Sequence, residues 1–80
     1  MEIPQTSRQG YIYLMQKDIN RTLRTLWKIK PKIVEKRVLK EKSEDNYYGW
    51  IRFPRPLPLL DAMDAGLVPI FNTYRPGGMI

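Results

Sequence analysis

Asp61 and Asp64 are the carboxylates whose spacing best suits a joint task. Three residues apart in a segment of helical character, they can project together as paired acids or hard-cation ligands do. A simpler account fits the same residues. Leu59 to Ala65 reads as a short helix closed by Gly66, and negative charge in its first turns faces the positive end of the helix dipole. The chain holds no His and no Cys, which removes imidazole acid–base chemistry, a thiolate nucleophile and the usual zinc donor sets. Gly77-Gly78 has no helix after it and no Lys-Ser/Thr pair, so it does not form a phosphate loop. The expectation is a protein that is not an enzyme, with no cofactor and no metal.

Positive charge is the stronger signal. The 80 residues carry 14 Lys+Arg against 8 Asp+Glu, a formal net charge of +6. The excess is confined to the first half: residues 1–42 hold 11 basic and 4 acidic side chains, residues 43–80 hold 3 and 4. Such asymmetry favours partners with a dense negative charge, and it speaks to association, not to fold. A chain this short buries a modest core, and without disulfides or a metal it gains further stability by binding or self-association.

Element assignment starts from residues 11–30. At about 100° per residue, Ile12, Met15, Ile19, Leu23 and Leu26 fall in one arc with Trp27 on its flank, which predicts an amphipathic helix over about residues 8–30. Thr6 or Ser7 would cap its start, and Pro31 would end it. Lys17, Arg21, Arg24 and Lys28 fall nearly opposite the apolar arc, with Asp18 the only acid in that stretch. Like charges along one helix side repel by some tenths of a kcal/mol per pair, a cost that an anionic partner would reverse.

Downstream, Val34 and Val38 fit either a helix or a strand. The turn-like Ser43-Glu44-Asp45-Asn46 and the β-favouring run Tyr47 to Phe53 decide for a β-hairpin across about residues 33–53. Alternation puts Tyr47, Gly49, Ile51 and Phe53 on one face and Tyr48, Trp50 and Arg52 on the other. The second face either packs or forms a stacking platform for bases through Tyr48 and Trp50, and exposure of Trp50 discriminates the two. Pro54, Pro56 and Pro58 then impose an extended connector, with a spacing of two that does not suit a proline-rich SH3 ligand.

The fold class expected is α+β: one amphipathic N-terminal helix, a β-hairpin and an irregular Pro-rich C-terminal arm. Residues 1–53 would form the basic module and residues 54–80 the arm with one short helical turn. The expected function is electrostatic docking on nucleic acid through Lys17, Arg21, Arg24, Lys28, Lys30 and Lys32, extended by Lys36, Arg37 and Lys40. The alternative is a structural or inhibitory subunit of a viral, ribosomal or other nucleoprotein assembly, binding a protein partner or a second copy through Leu67, Ile70, Phe71 and Tyr74 of the arm. No apolar run is long enough to span a bilayer and no secretion signal is present, so a membrane partner is not expected and an intracellular location is.

Overall fold

Tyr11–Met15 is extended where a helix was expected, and this strand, β1, organises everything around it. The computed structural model describes residues 10–70. In order they form β1, helix α1 (Ile19–Leu26), β2 (Glu35–Val38), β3 (Gly49–Phe53), helix α2 (Leu59–Asp64) and β4 (Leu67–Pro69). The expected helix over 8–30 is therefore corrected to a strand, a bend and a helix of 8 residues. The residues proposed to cap it, Thr6 and Ser7, lie outside the described residues.

The physical reason is that β1 has neighbours on both edges and burial on both faces. Tyr13 and Met15 point to one face and Ile12 to the other, and all three are buried. A strand buried on both sides needs apolar residues at successive positions, and such a run also satisfies helical spacing over a short window. The β-favouring Tyr11, Ile12 and Tyr13 tip the local preference, and pairing with β3 and β4 fixes it.

The hairpin is present. β2 and β3 pair antiparallel, with Lys36 opposite Ile51 and Val38 opposite Gly49. Its connection turns at Ser43–Asn46, where the Asn46 amide donates to the Ser43 carbonyl at 2.9 Å and Asn46 adopts φ +70°. Among the described residues the strands make one sheet in the order β2-β3-β1-β4, each antiparallel to its neighbour. β1 and β2 thus run parallel with β3 between them, and β3 and β4 run parallel with β1 between them. Two such split βαβ units give the mixed α+β arrangement of ferredoxin-like sheets.

Both helices pack on the face carrying Tyr13, Met15, Ile51, Phe53 and Leu67, to which they contribute Leu26, Ala62 and Ala65. The Tyr13 and Phe53 rings meet edge-on at 5.8 Å between centroids. The described part of the segment expected to be an irregular arm, up to residue 70, contributes to this core: α2 ends at a left-handed Gly66 (φ +70°), and β4 pairs with β1 through Met15 and Leu67. Leu67, expected to face a protein partner, is buried in the chain's own core. Ile70 is half-buried and its amide donates to the Ile12 carbonyl at 3.0 Å. Phe71 and Tyr74 lie outside the described residues.

Candidate nucleic-acid interface

Helix α1 begins at Asp18, whose carboxylate accepts the Arg21 amide at 2.9 Å, an N-cap that satisfies one of the helix's free donors. Thr22 faces inward, fully buried, and its hydroxyl donates to the Asp18 carbonyl at 2.9 Å. With Thr22 and Leu26 holding the inner side, helical geometry turns Arg21 and Arg24 outward, and both are exposed. Arg24 also sits in the last turn, where a cation suits the negative end of the dipole. Lys28 follows in the turn that closes the helix. There the Ile29 and Lys30 amides both donate to the Leu26 carbonyl, at 3.1 and 2.9 Å.

Lys30 adopts φ +42°, and this left-handed residue before Pro31 breaks the helical path. Lys30 and Lys32 therefore project from the linker into β2, and both are exposed. Among the described residues Arg21, Arg24, Lys28, Lys30 and Lys32 make no ion pair with a carboxylate. An ion pair lies elsewhere, where Arg52 on β3 donates from Nε to Glu35 on β2 at 2.9 Å.

Other residues of the expected patch are placed differently. Lys17 precedes α1, and its Nζ donates to the Asp64 carbonyl at 2.9 Å, tying the start of α1 to the end of α2. It does not extend the outward stripe. Lys36 and Arg37 are exposed but on opposite faces of the sheet, since one is opposite Ile51 and the other opposite Trp50. Lys40 lies in the hairpin connection, exposed.

The stacking residues fare worse. Trp50 is 6% exposed, which decides for packing and against an open platform. Tyr48 is half-buried against the core, and Lys42 Nζ sits 5.7 Å from the centre of its ring, a cation–π contact that occupies that face. No family model, curated protein or solved structure matches this chain.

Among the described residues no group of three or more acidic side chains converges to hold a metal ion. No described helix is long and apolar enough to cross a membrane. Two surfaces carry little signal in the sequence. Leu59, Leu60 and Met63 on α2 are 69%, 74% and 63% exposed, and Trp27 beyond α1 is 61% exposed. A groove also runs along the proline segment, with Arg55 among the residues that line it. The alternating prolines were its only trace in the sequence.

Proposed function

We propose that this chain is a non-enzymatic binding module that docks on nucleic acid through Arg21, Arg24 and Lys28, with Lys30 and Lys32 beside them. The reading is supported by one observation above all: these cations are exposed and unpaired among the described residues, with Arg21 and Arg24 on the side of α1 away from its buried Thr22 and Leu26 and the three lysines in the turn and linker that follow. Unpaired cations in water gain little, whereas phosphate contacts release condensed counterions and give affinity that falls steeply with salt. The contact is to the backbone of the polymer and carries no base specificity of its own.

The test is fluorescence anisotropy of a labelled oligonucleotide across ionic strength. The logarithm of the wild-type association constant falls linearly with log salt, and Arg21→Ala/Arg24→Ala flattens that slope by about 2. Arg21→Glu/Arg24→Glu loses binding; an affinity unchanged by that reversal retires the proposal.

A second reading, a structural or inhibitory subunit that binds protein, is favoured by the exposed Leu59, Leu60 and Met63. Three large apolar side chains on a six-residue helix are more than scattered surface residues. Backbone shifts at these positions on titration with a partner protein check it, and their absence removes it.

A further inference from the structure

The segment after β3 and the linker before β2 face each other across an open groove of about 330 Å³. Ile29 and Pro31 line it from the linker, and Pro54, Pro56 and Pro58 from the segment leading to α2. Phe53, fully buried in the core, also lines it. Among the described residues two charged side chains line the groove, Lys32 and Arg55; both are cations, and both are exposed.

The groove is held in shape before anything binds. The Leu57 amide donates to the Tyr13 hydroxyl at 2.9 Å, pinning the proline segment to β1, and the Val34 amide donates to the Arg52 carbonyl at 3.0 Å, pinning the linker to β3. Proline's fixed φ limits the remaining freedom, so little ordering is left to oppose binding.

From this arrangement we infer that the groove is a docking site for an acidic–apolar peptide segment, seating an aliphatic or aromatic side chain between carboxylates that meet Lys32 and Arg55. The inference shares Lys32 with the nucleic-acid reading but not its helix α1 cations; it narrows the second reading and rests on it in taking the partner to be protein. The apolar, proline-built walls select this occupant, since charge alone suits a phosphate as well as a carboxylate. Pro31, Pro54, Pro56 and Pro58 have no N–H, so a nucleobase seated here would find its ring acceptors unanswered by those walls. An apolar side chain asks for no donors. Carboxylates on either side of it match the sign of both cations, and the openness of the groove leaves the peptide's main chain in water.

The probe is the hexapeptide acetyl-EDLFDE-amide, titrated into the full chain and followed by amide chemical shifts. Shifts at Ile29, Lys32, Phe53 and Leu57 are expected. Lys32→Glu/Arg55→Glu, with circular dichroism unchanged, weakens binding roughly tenfold, as reversing two exposed charge pairs should. The neutral peptide acetyl-QNLFNQ-amide binds more weakly than the acidic one. Equal binding of the neutral peptide, or no shift with either, overturns the inference. Shifts confined to Leu59, Leu60 and Met63 overturn it too while leaving the protein-binding reading standing. Displacement of the peptide by a thymidine hexanucleotide that moves the same four amides would make the groove a base site, which also overturns it.

Discussion

Gly49 opens β3 with φ +125°, and a Cβ placed there would lie 2.0 Å from the Arg37 carbonyl oxygen on β2. Neither the backbone angle nor the space suits a side chain. Gly49→Ala is expected to destabilise the fold by about 2 kcal/mol or more, read as a lowered urea midpoint; an unmoved midpoint would mean that β2 gives way freely. A glycine inside a strand run is a recognisable sign of close backbone approach. Which neighbour approaches is set by the Val38–Gly49 register, and nothing local in the sequence encodes that. Trp50 teaches the same lesson. Alternation placed it with Arg52, opposite Ile51 and Phe53, but whether that face is covered depends on the rest of the chain.

For the elements, the decisive residue is Asp18, which ends the β1 run and starts α1. Asp18→Ala is expected to cost about 1 kcal/mol through loss of the bond to the Arg21 amide, again measured by urea unfolding. Asp before an apolar-periodic stretch is a helix-start signal that the sequence displays. Across Asp18 a single apolar periodicity continues from Tyr11 towards Lys30 although the chain changes from strand to helix. The hairpin and α2 were legible because their punctuation is local, in Ser43–Asn46 and in Gly66. β4 was not: it is three residues long, and its identity comes from β1, more than 50 residues earlier. The basic stripe was legible in part. Arg21 and Arg24 share the outward side of α1, whereas Lys17 is turned to Asp64 by a contact between distant segments.

Over the whole molecule, helices and sheet share one core that draws on β1, β3, β4 and both helices. Residues 1–53 alone lack Ala62, Ala65 and Leu67, leaving Tyr13, Met15, Ile51 and Phe53 without their cover. That fragment is expected to show a coil-like far-ultraviolet circular dichroism spectrum, and a native-like spectrum would establish it as a separate module. The outer strands carry a further implication. β2 is four residues long and bears Lys36 and Arg37, and β4 is three residues long and ends on Pro69, which has no N–H to give. Such blunted margins are poor templates for edge-to-edge growth into fibrils, a hazard for a small protein with aliphatic side chains in the open. Association with other molecules is thereby steered to side chains on the helices and loops, and away from adding another chain to the ladder.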